Sequence, residues 1–94
     1  MSDGNKSVQV RITGRVQGVG FREWTRQEAI GLGLVGWVRN EPDGSVAALL
    51  VGSETVVNTM LLRLHEGPSF SRVDSVINEP ATLAVPPVDF RITR

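Results

Sequence analysis

Apolar positions recur along the first third of the chain with two different periods. Ser7–Thr13 (SVQVRIT) alternates between apolar and polar residues, which is typical of a strand buried on one face. Gly14–Gly20 contains three glycines and little periodicity, which predicts a loop. In Phe21–Gly31 the apolar side chains fall on one arc at about 100° per residue, so this segment is predicted to be an amphipathic helix. Gly33 adds to the stop signals at its end.

The rest of the chain predicts a hairpin, a second helix and two further strands. Leu34–Arg39 and Ser45–Val51 are rich in strand-forming residues, and the Asp43-Gly44 pair between them is typical of a hairpin turn. Ser53 is a suitable N-cap for a helix that Gly67-Pro68 ends. The apolar stripe of this helix consists of Val56, Val57, Met60, Leu61 and Leu64. The final strands are predicted at Arg72–Asn78 and Val88–Thr93.

This order of elements, β-α-β-β-α-β with a short extra C-terminal strand, predicts an α+β fold. Two helices on one face of a mostly antiparallel sheet form a ferredoxin-like sandwich, and right-handed crossovers leave few other arrangements. The 94 residues suffice for one domain, which we place at residues 7–94, after a flexible leader at residues 1–6. Five aromatic residues are expected to fill the core: Phe21, Trp24, Trp37, Phe70 and Phe90.

Composition excludes several classes of function. Ten basic and ten acidic side chains cancel, which argues against binding to nucleic acid or to an anionic membrane. The chain has no cysteine, so thiolate metal sites, disulfides and cysteine nucleophiles are excluded. No apolar run is long enough to span a bilayer and no secretory signal is present, so a soluble cytoplasmic protein is expected. Nine of the ten basic residues are arginine, which suits phosphate and carboxylate ligands.

The glycine-rich loop before the first helix is the strongest candidate site. Glycines allow sharp turns and close approach of the backbone to a ligand, and a helix N-terminus supplies free N–H donors. An oxyanion such as phosphate fits there, and Arg22 at the helix start could add a bidentate contact. A turn that merely connects strand and helix is equally compatible with these residues. No Gly-Lys-Ser/Thr follows, so the loop is not a P-loop.

Asn40, at the end of a predicted strand, is the second candidate. Asparagine often caps turns for local reasons, and this interpretation stays open on spacing alone. If the turn faces the glycine-rich loop, the Asn40 amide could orient a water molecule, although it is not a base. Acidic residues are scattered singly and His65 is the only histidine, so no metal site and no cofactor are expected.

Taken together, the motifs resemble the acylphosphatase family over nearly the whole chain. They are Gly14–Arg22 (GRVQGVGFR), Gly36–Asn40 (GWVRN) and Asp43–Val46 (DGSV), in the order and spacing of that family. The resemblance implies a ferredoxin-like fold, a phosphate-binding role for Arg22 and a water-positioning role for Asn40. It also implies an anion cradle made by the backbone amides of Arg15, Val16, Gln17, Gly18, Val19, Gly20 and Phe21. Ala47 departs from the pattern, because many members have an acidic residue there.

The resemblance further implies the reaction: hydrolysis of the carboxyl–phosphate bond of acyl phosphates to carboxylate and inorganic phosphate, without metal or cofactor. The carboxylate leaves without needing a proton, so a site with few groups could suffice. A non-catalytic phosphate-binding regulatory module on the same fold is the alternative. A third option is a domain of a larger carbamoyl-transfer maturation protein, although the short chain favours a stand-alone monomer.

Overall fold

The computed structural model describes residues 4–94, and the elements in this range follow the predicted order. The strands are β1 (Asn5–Arg15), β2 (Val35–Asn40), β3 (Val46–Ser53), β4 (Arg72–Pro80) and β5 (Phe90–Ile92), and the helices are α1 (Phe21–Gly31) and α2 (Glu54–Glu66). Both helices begin and end where their signals indicate. Ser53 accepts a hydrogen bond from the Val56 N–H at the start of α2, and Gly67 ends the helix with a φ of +69°.

The five strands form one sheet in the order β4-β1-β3-β2-β5. The β1–β3, β1–β4 and β2–β3 pairs are antiparallel, and the short β5 runs parallel to β2. Each helix connects two parallel strands that are separated by one strand, as right-handed crossovers in this topology require. The predicted α+β, ferredoxin-like fold with a short extra C-terminal strand is confirmed.

The core lies between the two helices and one face of the sheet. Alternate residues of each strand point to that face, so Val8, Val10 and Ile12 of β1 are buried. Facing them are Phe21, Thr25 and Ala29 of α1 and Val57, Met60 and Leu64 of α2. Neither helix of residues 4–94 packs on the opposite face of the sheet, which presents Gln9 and Arg11 of β1 together with Arg39 of β2. This asymmetry divides the surface of the sheet into a covered face and an open face.

The structure corrects three details of the sequence analysis. β1 begins at Asn5, so Asn5 and Lys6 of the expected leader pair with β3 instead, while residues 1–3 lie outside the described range. β1 also runs on to Arg15 through a bulge at Thr13/Gly14. The expectation that Phe70 and Trp37 lie in the core is wrong, because Phe70 is 82% exposed in the loop after α2 and the half-buried Trp37 lies on the open face of the sheet with Arg39. Neither helix within residues 4–94 has the length and apolar character needed to cross a membrane.

Candidate active site

A concavity of about 200 Å³ lies where the loop after β1 enters α1. Gly18 and Gly20 adopt φ values of +73° and +77°, a region that side chains disfavour, and they turn the chain into the helix. The concavity is lined by Val16, Gly18, Gly20, Phe21, Arg22, Glu23, Asn40 and Ile92. The structure therefore brings together the two candidate residues that the sequence separates by 18 positions, which is the juxtaposition on which the enzyme interpretation depends.

The backbone donors at the start of α1 are available to a ligand. The loop at residues 17–20 is a run of bends, and the first hydrogen bond of the helix runs from the Trp24 N–H to the Gly20 carbonyl at 3.1 Å. Within residues 4–94, no acceptor takes a hydrogen bond from the N–H groups of residues 18–23. Gly20, the N-cap residue, provides no side-chain cap. These donors and the positive end of the helix dipole together favour an anion at this place.

Arg22 contributes an uncompensated charge to the concavity. It is the second residue of α1, it is half-buried, and it forms no ion pair with any of residues 4–94. Its neighbour Glu23 is bound by the Arg26 guanidinium at 2.8 Å and by the Gln27 amide at 3.3 Å. The acidic residue beside Arg22 thus interacts with the next turn of the helix, and the Arg22 guanidinium is left for a ligand.

Asn40 contributes a buried acceptor to the same concavity. It ends β2 and lies on the covered face of the sheet, two positions after the buried Val38. Its Oδ1 atom is buried and receives no hydrogen bond from residues 4–94. A buried amide oxygen without a donor is costly, so a group that donates to it, such as a water molecule, is expected in the concavity.

Not every residue of the expected cradle lines the concavity. Of that set, Val16, Gly18, Gly20 and Phe21 do so. Arg15 belongs to β1 and pairs with Arg72, while Val19 packs on the core. Gln17 directs its side-chain amide to the hairpin after β2 instead, donating to the carbonyl oxygens of Glu41 at 2.9 Å and Ser45 at 2.8 Å.

Two lining residues, Glu23 and Ile92, are absent from the set that the sequence indicates. Glu23 borders the concavity because it follows Arg22 in the first turn of the helix. Ile92 reaches the site because β5 pairs with β2 and sets Ile92 opposite Val38, on the covered face. The alternation of Val88–Thr93 predicts a strand, but it does not predict that this strand pairs with β2.

A second and larger concavity, of about 370 Å³, lies on the open face of the sheet. Ala47 forms part of its floor, between Arg11 of β1 and Arg39 of β2 in the strand registers. Both arginines are compensated: Arg11 binds Asp43 at 2.7 Å, and Arg39 binds Glu41 at 2.8 Å. Arg39 also lies 4.5 Å from the ring centre of Trp37.

Asp43 is held by the hairpin itself. The Ser45 hydroxyl donates to its Oδ1 at 2.6 Å and the Ser45 N–H donates to the same atom at 2.9 Å. These two hydrogen bonds, with a smaller contribution from Arg11, hold the pKa of the Asp43 carboxyl below its ordinary value.

Residues 4–94 contain no cluster of three or more histidine or acidic side chains that could hold a metal ion.

Comparisons with known proteins agree with this geometry. The family model described as acylphosphatase matches residues 8–92. The chain is 57% identical over 93 residues to an acylphosphatase of Rhizobium etli, covering 99% of both chains. Structures of acylphosphatases from Coxiella burnetii and Bacillus subtilis superpose with TM-scores of 0.89, at 34% and 32% identity. The alignment with the Coxiella burnetii structure covers 95% of this chain and 93% of that one. The alignment with the Bacillus subtilis structure covers 94% of this chain and 98% of that one. The chain therefore belongs to the acylphosphatase family, the hydrolases of acyl phosphates.

Proposed function

We propose that the chain hydrolyses acyl phosphates with the transferred phosphoryl group bound by Arg22 and the amides at the start of α1, and with the attacking water held by Asn40. One observation carries this assignment: Arg22, whose guanidinium has no ion-pair partner among residues 4–94, and Asn40, whose buried Oδ1 receives no hydrogen bond from them, line one concavity at a helix N-terminus. The first group suits the anion, and the second suits the water. Simple anion binding would need only the first.

Binding of the phosphoryl group comes first. The N–H groups of residues 18–23 and the Arg22 guanidinium provide donors on one side of the concavity, where a PO₃ group would accept several hydrogen bonds. In phosphoryl transfer, catalysis comes mainly from positioning and from stabilising charge on the equatorial oxygens. Fixed backbone donors need no reorganisation as that charge changes, so they stabilise the transition state.

Attack by water follows. A water that donates one O–H to the Asn40 Oδ1 presents a lone pair to phosphorus, and holding it there removes an entropic cost from the reaction. A bond forms between the water oxygen and phosphorus while the bond between phosphorus and the acyl oxygen breaks. The carboxylate leaves with that electron pair, and the proton of the water passes to the bound phosphate. Ile92 and Phe21 give the concavity an apolar wall.

The proposal includes a cytoplasmic monomer that acts without a metal or another cofactor. It is supported by the balanced charge and by the absence of cysteine from the sequence. Small acyl phosphates would be the partners, with inorganic phosphate as product, and neither nucleic acid nor membrane is involved. Size-exclusion chromatography with light scattering tests the monomeric state, and a dimer would contradict it.

The deciding experiment is a spectrophotometric assay of the purified chain with an aryl acyl phosphate. We expect turnover that inorganic phosphate inhibits competitively, because product and substrate share the anion site. Phosphate binding without turnover would instead support the alternative, a non-catalytic phosphate-binding regulatory module.

A further inference from the structure

The side chain of Gln17 joins the two halves of the site. Its amide nitrogen donates to the carbonyl oxygens of Glu41 and Ser45 at 2.9 and 2.8 Å. These two residues close the hairpin loop, since the Glu41 N–H donates to the same Ser45 carbonyl at 2.8 Å. Glu41 follows Asn40 directly in the sequence. One half-buried side chain therefore bridges the loop before α1 and the turn that begins where β2 ends.

The loop that carries Gln17 has little to hold it internally. Its residues 17–20 are bends, and no hydrogen bond between backbone groups of residues 4–94 has its donor among them. Gly18 and Gly20 add conformational freedom that other residues would not allow. Val19 packs on the core, and the bonds from Gln17 to the hairpin add a polar restraint that joins this loop to the residue directly after Asn40.

We propose that Gln17 is a positioning residue that fixes the distance between the phosphate-binding loop and Asn40. This inference rests on the proposed function, in which the loop binds phosphate and Asn40 holds water. The Gln17 side chain is directed to the hairpin and does not line the concavity, so it is not among the side chains proposed to contact the reactants. Its effect is on alignment: an in-line attack depends on the relative placement of water and phosphorus, to which rates are highly sensitive.

The inference predicts a separation of rate from affinity. The groups that bind phosphate, the amides and Arg22, stay together on the loop and helix when Gln17 is changed. Phosphate affinity should therefore persist, while kcat falls because the loop and Asn40 are no longer in register. A role limited to stability would lower the melting temperature without any dependence on Asn40.

A double-mutant cycle with Asn40 tests this. Gln17→Met keeps the length of the side chain and removes its donors, and Gln17→Asn keeps the amide but shortens its reach. We expect either variant to lower kcat about tenfold while the inhibition constant for inorganic phosphate changes by less than about twofold. In an Asn40→Ala background, the same change should lower kcat by less than about twofold, because no oriented water remains to be misaligned.

Lys6→Met is the matched control. In the unchanged chain the Lys6 Nζ donates to the Asn58 Oδ1 at 3.0 Å and links β1 to α2 at the end of the sheet far from the site. The variant therefore loses a side-chain hydrogen bond between two elements, but away from the site. We expect kcat to remain unchanged in this variant, with melting temperatures recorded for every protein. If changing Gln17 lowered kcat equally with Asn40 present and in the Asn40→Ala background, or did not lower it at all, the proposed role of Gln17 would be overturned and the proposed function would stand. An Asn40→Ala enzyme with full activity would overturn the proposed function itself.

Discussion

Of the two concavities described above, the larger has its charged groups paired, whereas the smaller contains polar groups without partners among residues 4–94. The larger one, on the open face, is bordered by Arg11 and Arg39, and each has its own carboxylate partner. The smaller one, at the start of α1, contains Arg22 without an ion-pair partner among residues 4–94 and a buried Asn40 oxygen without a donor. The smaller concavity therefore combines a guanidinium and an amide oxygen that lack partners among residues 4–94, and this combination, not volume, is why we propose it as the place where a charged substrate binds.

Replacing Arg22 should give the largest effect and is the most direct way to break this comparison. Arg22→Ala removes the side chain that we propose to bind the equatorial oxygens, so we expect kcat/KM to fall by about 10³-fold or more. Inhibition by inorganic phosphate should be lost as well. Arg11→Ala, on the open face, is the control and should keep at least half of the activity. Comparable losses in both variants would mean that the two concavities do not differ in function.

Replacing Asn40 should give the second largest effect. Asn40→Ala removes the proposed acceptor for water but no proposed phosphate ligand, so kcat should fall by roughly 10²-fold while the phosphate inhibition constant is retained. Asn40→Asp keeps an acceptor but adds a negative charge next to the anion, so phosphate affinity should also fall. The prediction is contradicted if phosphate affinity falls as steeply in the alanine variant.

A smaller effect is expected on the open side of the sheet, at Asp43. Its pKa is lower in the folded chain than in the unfolded one, so its ionised form stabilises the fold above the ordinary pKa of a carboxyl. This contribution is lost as the pH falls through the folded pKa. Asp43→Asn should therefore lower the melting temperature slightly at neutral pH and flatten its acid dependence below about pH 4. Activity at neutral pH should change by less than about twofold, because Asp43 lies outside the site.

Chelation is expected to have no effect. The proposed mechanism places phosphate on protein donors alone, so EDTA should leave kcat and KM unchanged in the neutral assay. Inhibition that magnesium or zinc reverses would contradict the proposal and would require a ligand set different from Arg22 and Asn40.

Sequence predicted the elements well because their signals are local. Ser53 and Gly67 mark the ends of α2, and the alternation in β1 marks the buried face. The early start of β1 was missed because Asn5 and Lys6 are polar, and their strand conformation comes from pairing with Ser53 and Gly52. Such pairing across 46 or more positions leaves no local pattern.

For the site, the sequence motifs indicated Arg22 and Asn40 but not the geometry of the loop between β1 and α1. The β1 bulge and the left-handed glycines set the path of this loop, and Arg15, Gln17 and Val19 are not among the residues that line the concavity; the contribution of their backbone amides to an anion cradle stays a prediction. Ile92 could not be assigned without the strand order. The sequence motifs thus predict which residues belong to the candidate site, but not which of them point into the concavity.

The short β5 covers the sheet edge that β2 would otherwise expose. By pairing in parallel with β2, and through the bonds from the Gly36 N–H to Asp89 and from the Thr93 N–H to Val38, it occupies hydrogen-bonding groups that would otherwise form an open sheet edge. Three residues are too few to offer a neighbouring molecule a long template of their own. Loss of this segment would therefore remove Ile92 from the wall of the concavity and also expose the unpaired backbone groups of β2. Aggregation and inactivation would then have the same cause.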